Sequence, residues 1–189
     1  MQNASIILVG TPGAGKSVVS RLLAASLSAE YLSASNVLRE YAGSNPEASK
    51  SWADFWREGE NAPDDQVLPV LWDAFERRSR VGATILDGYP RTTLQLLDFI
   101  NRGGWITLAV ALNVSSGTAA LRIEDRRAAG LRAEDASPIA HRRLHSEQQV
   151  YEGLLARLGE FAEHVITVNS DVLSPQEIAD SVISRLDLS

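Results

Sequence analysis

The chain has 189 residues, a length that fits one domain. Hydrophobic residues make up 44% and charged residues 22%, which is typical of a globular protein with one core and excludes a disordered chain. The formal net charge is -6 and cysteine is absent, so we expect no nucleic-acid or membrane binding, no disulfide and no thiolate metal site. Two of the 18 basic residues are lysines, Lys16 and Lys50, and the others are arginines.

Short apolar runs predict buried strands in four places: residues 5–9, 83–86, 107–112 and 164–168. The first run is too short for a signal sequence or a membrane span, so we expect a cytoplasmic protein. Helical spacing of apolar residues fills the intervals, at 17–27, 94–101, 117–129 and 138–158. The last helix begins with Ser174, Pro175 and Glu177, the pattern of a capping box.

This alternation predicts an α/β protein with a parallel sheet covered on both faces, whose ligand lies at the carboxyl ends of the strands. Two segments interrupt the alternation. Residues 33–80 are helical and polar with no obvious strand, and residues 127–137 form a charged loop. We interpret both as excursions from the core.

The segment from Gly10 to Ser17 matches G-x-x-x-x-G-K-[ST] between a predicted strand and a predicted helix. Its glycines let backbone N–H groups point at phosphate oxygens, and the helix N-terminus adds positive charge. Lys16 would reach the β- and γ-phosphates, and the Ser17 hydroxyl would face Mg²⁺. The motif predicts a nucleotide phosphate but is shared by GTPases, ATPases and small-molecule kinases.

The second strand ends in Asp87 and continues as Gly88-Tyr89-Pro90-Arg91. Asp87 is positioned to hold Mg²⁺ through water, and Arg91 would emerge beside the phosphate loop, where a second phosphate could bind.

These residues, with Thr92 and Gln95, resemble the D-G-[FY]-P-R-T-x-x-Q signature of the adenylate kinase family of nucleoside monophosphate kinases. Residues 32–39 are similar to that family's L-S-T-G-D-L-L-R segment, and residues 59–65 to its G-E-L-V-P-D-D segment. The spacing of four downstream arginines matches the short-lid members of the family: Arg122, Arg126, Arg132 and Arg143.

The resemblance implies a single P-loop NTPase domain over residues 1–189, with a five-stranded parallel sheet flanked by helices. Residues of about 33–65 would form a helical lid over the monophosphate, and residues of about 127–137 a short lid over ATP. It also implies Mg²⁺ as cofactor, ATP and AMP as partners, a monomer, and no zinc, because the chain has neither the length nor the cysteines of a zinc-bearing lid.

The family's site residues carry over position by position. The resemblance implies ATP binding by Gly13, Ala14, Gly15, Lys16, Ser17, Val18, Arg122 and Arg126. It implies AMP binding by Ala34, Arg39, Glu60, Asn61, Ala62, Gly88, Tyr89, Pro90, Arg91, Gln95, Arg132 and Arg143. Phosphoryl transfer would involve Lys16, Arg91, Arg126, Arg132 and Arg143, and Mg²⁺ would lie near Ser17 and Asp87.

The acceptor base depends on two positions that point in opposite directions. Ala34 is similar to the UMP/CMP kinases, whereas Gln95 is similar to the adenylate kinases. We expect reversible transfer from Mg·ATP to AMP, with a UMP/CMP kinase as the alternative. Ser17-Val18 in place of the family's Gly-Thr, and Asn36 in place of an acidic residue, leave a third hypothesis: a nucleotide sensor with weak catalysis.

Two further pairs have the spacing of one helical turn. His141 and His145 could hold a metal, but a solvated helix face is favoured because no third ligand is evident. Trp52 and Trp56 are expected to pack within the monophosphate lid rather than stack on a base.

Overall fold

The computed structural model describes residues 4–58, 60–129 and 138–186, with the backbone alone for residues 127 and 138–147. Its strands form one five-stranded parallel sheet in the order β2-β3-β1-β4-β5, which confirms the predicted fold class. The strands are β1 (Ser5–Gly10), β2 (Glu30–Ser33), β3 (Thr84–Asp87), β4 (Ile106–Asn113) and β5 (Ala162–Asn169). The helices are α1 (Lys16–Leu27), α2 (Ala34–Ser44), α3 (Pro46–Arg57), α4 (Asp64–Ser79), α5 (Thr93–Asn101), α6 (Ser116–Ala128), α7 (Pro138–Phe161) and α8 (Pro175–Leu186).

The central strands are buried on both faces because their side chains alternate between two cores. In β1, Ile6 and Leu8 face the core formed with α1 and α8. Ile7 and Val9 face the other core, which includes side chains from α2, α3, α4, α5 and α7. The continuous apolar runs of β1 and β4 therefore reflect a sheet with helices on both sides.

Two strands at the edges of the sheet differ from the sequence predictions. β2 was not predicted, because its four residues include a single aliphatic side chain, Leu32, which is fully buried. β5 was expected to be buried, and this is wrong: Val168 is its one buried residue. Because β5 lies at the end of the strand order, one of its long edges and much of its face remain exposed.

The predicted start of α8 is confirmed atom by atom. The Glu177 backbone N–H donates to Ser174 Oγ over 3.3 Å, and the Ser174 N–H donates to Glu177 Oε2 over 2.8 Å. The Ser174 hydroxyl also donates to Glu177 Oε2 over 2.7 Å, and this hydrogen bond, followed by the one from the Ser174 N–H, lowers the pKa of the Glu177 carboxyl. None of the helices in the described ranges has the length and apolar character needed to span a bilayer.

Candidate active site

The loop between β1 and α1 has the backbone conformation expected of a phosphate-binding loop. Gly13 and Gly15 adopt φ values of 82° and 89°, which L side chains rarely tolerate. Lys16 Nζ donates to the carbonyl oxygens of Gly10 and Thr11 over 2.6 and 2.9 Å, so the ammonium group lies over the loop. The first turn of α1 has no acidic residue, so the positive end of the helix dipole is available to an anion.

Arg122 on α6 connects this loop to the segment that follows β5. Its guanidinium donates to the carbonyl oxygens of Gly13 over 3.2 Å and Ser170 over 2.7 Å. Hydrogen bonds from Thr118 and Ser115 lower the pKa of the nearby Asp171 carboxyl, and the charge of Arg122 adds to that effect. Arg122 is therefore an anchor of the loop, a role that its spacing in the sequence did not reveal.

Asp87 lies at the carboxyl end of β3, beside the end of β1, and is buried. The Tyr31 hydroxyl donates to Asp87 Oδ2 over 2.9 Å. Burial, followed by the negative charge of Asp87, raises the pKa of Tyr31, so its hydroxyl remains a donor at neutral pH. A fixed carboxylate here and the Ser17 hydroxyl in the first turn of α1 are oxygen donors of the kind that Mg²⁺ prefers.

A cleft opens between the helices α2, α3 and α4 and the start of α5, and we call it the acceptor-side cleft. Its mouth is open to solvent. It combines an apolar wall with polar groups. The residues that line it are Ala34, Ser35, Leu38, Arg39, Trp56, Glu60, Asn61, Ala62, Val67, Leu71, Gly88, Arg91 and Gln95.

The two arginines of this cleft are oriented by neighbouring side-chain amides. Arg91 donates to Asn61 Oδ1 over 2.7 Å, and Arg39 donates to Asn36 Oδ1 over 3.3 Å. Asn36 therefore still supplies an acceptor oxygen where the family pattern has an acidic residue. Loss of the negative charge does not remove the hydrogen bond.

Gln95 is 5% exposed, and both ends of its amide are hydrogen-bonded. Its Oε1 accepts from the Arg91 backbone N–H over 2.8 Å, and its Nε2 donates to Asp64 Oδ1 over 2.7 Å. Asp64 Oδ2 in turn accepts from the Thr92 hydroxyl over 3.4 Å. The first residue of α4 is thereby connected to the first turn of α5.

The two tryptophans of α3 lie in different surroundings. Trp52 is 1% exposed, donates to Gln66 Oε1 over 2.7 Å and stacks on Tyr41 at a centroid distance of 5.7 Å. Trp56 is half-buried, contacts Trp52 edge-on and lines the acceptor-side cleft. Packing within α2–α4 is confirmed for Trp52, whereas Trp56 also presents surface to the cleft.

A second cleft, the phosphate-loop cleft, extends from Gly10 and Lys16 to Tyr151 on α7. Four residues line both clefts: Glu60, Asn61, Gly88 and Arg91. The two spaces therefore meet beside Arg91. One space is bounded by the phosphate loop, and the other by the fixed amide of Gln95 and the apolar wall.

Comparison with known proteins agrees with the family resemblance seen in the sequence. A family model described as an AAA domain matches residues 9–140. The adenylate kinase of Parvibaculum lavamentivorans is 34% identical over 146 residues, which cover 74% of this chain and 71% of that protein. The chain belongs to the adenylate kinase family. It is thus a phosphotransferase of the nucleoside monophosphate kinase class.

Two other adenylate kinases show how the coverage varies within the family. The Nitrobacter winogradskyi protein is 28% identical over 165 residues, or 82% of this chain and 80% of that protein. The Methanothrix thermoacetophila protein is 30% identical over 91 residues, so this chain spans 42% of its length.

Several site residues expected of an adenylate kinase are not among the side chains that line the two clefts. Arg132 lies outside the described residues. Arg143 lies in the part of α7 for which the backbone alone is described, and so do His141 and His145. Arg126 follows Arg122 by one turn of α6. The Tyr89 side chain is fully buried against Phe99, so its contribution to a nucleotide site would come from its backbone.

Sequence reasoning missed three contributors to this kinase site: Tyr31, Asp64 and Trp56. Tyr31 lies on the unpredicted strand β2. Asp64 stood in a matched segment without a role of its own. Trp56 has the same spacing as Trp52, and burial alone separates them.

Proposed function

We propose that this kinase transfers the γ-phosphoryl group of Mg·ATP reversibly to AMP, giving two ADP. The observation that carries the proposal is the meeting of the two clefts at Arg91, one beginning at the phosphate loop and the other bounded by Gln95. ATP would place its β- and γ-phosphates on the loop, and AMP would place its phosphate at the shared wall. The two substrates would then approach each other at their phosphates.

In this reaction an oxygen of the AMP phosphate attacks the γ-phosphorus, and the bond from that phosphorus to the β–γ bridging oxygen breaks. No protein nucleophile is required, so the side chains act by positioning and by neutralising charge. Lys16 would hold the β- and γ-phosphates. Arg39 and Arg91 would hold the AMP phosphate.

The remaining arginines would neutralise the transferring group. We assign Arg126, Arg132 and Arg143 to this role, from the family pattern. Backbone groups would complete the contacts with AMP at Glu60, Ala62, Gly88, Tyr89 and Pro90.

The donor set near the phosphate loop fits Mg²⁺. The described ranges contain no cluster of three or more His, Asp or Glu side chains arranged around one point. Mg²⁺ keeps several waters and binds through one or two protein groups plus phosphates, so Ser17 and Asp87 are an adequate set. When bound, the ion would neutralise charge on the β- and γ-oxygens.

Two segments would close over the substrates in this proposal: residues of about 33–65 over AMP and about 127–137 over ATP. In the first segment, α2 and α3 form one wall of the acceptor-side cleft, so their movement would enclose the monophosphate. Closure would exclude water, which otherwise competes as acceptor of the phosphoryl group. Residues 130–137 of the second segment lie outside the described structure.

A coupled assay tests the acceptor directly. Purified protein is mixed with Mg·ATP and each of AMP, GMP, CMP and UMP, and nucleoside diphosphate formation is followed. Lys16→Met, prepared in parallel, measures background from host kinases. We expect turnover with AMP well above this background. Turnover with CMP or UMP but not AMP would overturn the proposal and favour the alternative that Ala34 suggests, and tight ATP binding without any turnover would favour a sensor.

A further inference from the structure

We propose that Asp64 selects the acceptor base by fixing the orientation of the Gln95 side-chain amide. This inference rests on the proposed function, because it assumes that Gln95 contacts the base of AMP. Asp64 does not line either cleft, so it is a positioning residue that acts through Gln95.

The hydrogen-bond partners of Gln95 allow one orientation of its amide. A carboxylate can only accept, so the atom that faces Asp64 has to be Nε2. A backbone N–H can only donate, so the atom that faces the Arg91 N–H has to be Oε1. Rotating the amide by 180° would break both hydrogen bonds and place Oε1 against the Asp64 carboxylate.

The fixed amide retains one N–H donor and one oxygen lone pair for a ligand. Adenine offers a complementary edge, since its N1 accepts a hydrogen bond and its 6-amino group donates one. Hypoxanthine has nearly the same shape, but its N1 donates and its 6-oxo group accepts. Placed in the same position, the base of IMP would oppose N–H to N–H and oxygen to oxygen. The orientation of Gln95 therefore favours AMP over IMP without any difference in size.

Asp64 is itself held in place. It is half-buried at the start of α4, and its second oxygen accepts from the hydroxyl of Thr92. Thr92 caps α5, where its hydroxyl also accepts from the Gln95 backbone N–H over 3.1 Å. The carboxylate, the cap and the amide are thus one hydrogen-bonded unit that joins the two helices.

Two substitutions separate orientation from structure. Asp64→Asn keeps the size of the side chain, and its amide can accept from Gln95 or donate to it. Residue 64 then no longer disfavours the flipped orientation of Gln95, and the Arg91 N–H is the remaining group that opposes it. Asp64→Ala removes the partner altogether. Asp65→Asn is the matched control, because Asp65 is an exposed carboxylate in the same first turn of α4 with no hydrogen bond to Gln95.

The measurement is the ratio of kcat/KM for AMP to kcat/KM for IMP, together with the dissociation constants of both nucleotides and the unfolding midpoint of each variant. We expect the ratio to fall at least threefold in Asp64→Asn, mainly through better use of IMP, and about tenfold in Asp64→Ala, the loss of one charge-assisted hydrogen bond. In Asp65→Asn the ratio should not change.

If Asp64 had a merely structural role, its substitution would lower kcat/KM for AMP and for IMP by the same factor and leave the ratio unchanged. A ratio that changes less than threefold in Asp64→Asn, or that falls as far in Asp65→Asn, would therefore overturn the inference. If the wild-type protein does not phosphorylate AMP, the proposed function has failed. If it does so and the ratio is insensitive to Asp64, the inference alone has failed.

Discussion

Gly13 and Gly15 allow a test of how the phosphate loop is packed. Both glycines have φ values in the left-handed region, 82° and 89°, so alanine at either position incurs a backbone cost of about 1 kcal/mol. Their surroundings differ. A Cβ added at Gly13 would lie 2.7 Å from the backbone oxygen of Ala119 and 2.8 Å from its Cα, whereas a Cβ at Gly15 meets no described protein atom within 4 Å.

The two substitutions should therefore have different effects on stability. Backbone atoms of α6 cannot rotate away, so Gly13→Ala adds overpacking of about 2 kcal/mol to the backbone cost. We expect a loss of about 3 kcal/mol in the free energy of unfolding for Gly13→Ala and about 1 kcal/mol for Gly15→Ala. For a chain of this length, the difference corresponds to about 4–8 °C in Tm.

Urea titration of both variants, with fluorescence as the readout, gives these free energies. ATP affinity should show the opposite pattern, because the added methyl group at Gly15 would project where we place the phosphates. Free energies that agree within about 0.5 kcal/mol would refute the contact between Gly13 and α6 as the cause.

Three other outcomes are expected. Arg91→Ala should lower kcat/KM for AMP, with a loss of at least about 2 kcal/mol in transition-state stabilisation, because a charge-assisted phosphate contact is lost. A decrease in kcat/KM of less than threefold would contradict this role of Arg91. Tyr31→Phe, which frees the Asp87 carboxylate, should raise the Mg²⁺ concentration needed for half-maximal activity while leaving ATP affinity in EDTA unchanged; an unchanged Mg²⁺ requirement would count against it. Addition of AMP should change the tryptophan fluorescence of the wild type and of Trp105→Phe, in which an exposed indole on another surface is replaced. The change should be lost in Trp56→Phe, and its persistence in that variant would assign the signal to another tryptophan.

Much of the architecture could be predicted from local patterns. The apolar runs of β1 and β4 and the capping box at Ser174 depend on neighbours in sequence, and both predictions are confirmed. The phosphate loop could be located for the same reason. Family resemblance then suggested roles for the site residues, although most of those roles stay predictions.

The features that could not be predicted depend on contacts between distant parts of the chain. Tyr31 and Asp87 are 56 positions apart, and Gln95 and Asp64 are 31 apart. Arg122 has the spacing of a nucleotide ligand, yet its guanidinium donates to backbone oxygens 109 and 48 positions away. No periodicity within a helix or strand contains such information, since it arises only when the sheet brings its strand ends together.

The anchor formed by Arg122 defines a part of the ATP side of the protein that is held together by hydrogen bonds. Arg122 joins the phosphate loop, α6 and the end of β5 into one unit through Gly13 and Ser170. Arg126, one turn further along the same helix, belongs to this unit. If residues of about 127–137 close over ATP as we propose, that closure would have to hinge beyond this unit. In the proposed function, Lys16 and Arg126 would then be in place when ATP binds and Arg132 would arrive on closure, so binding and neutralisation of the phosphates would occur in succession.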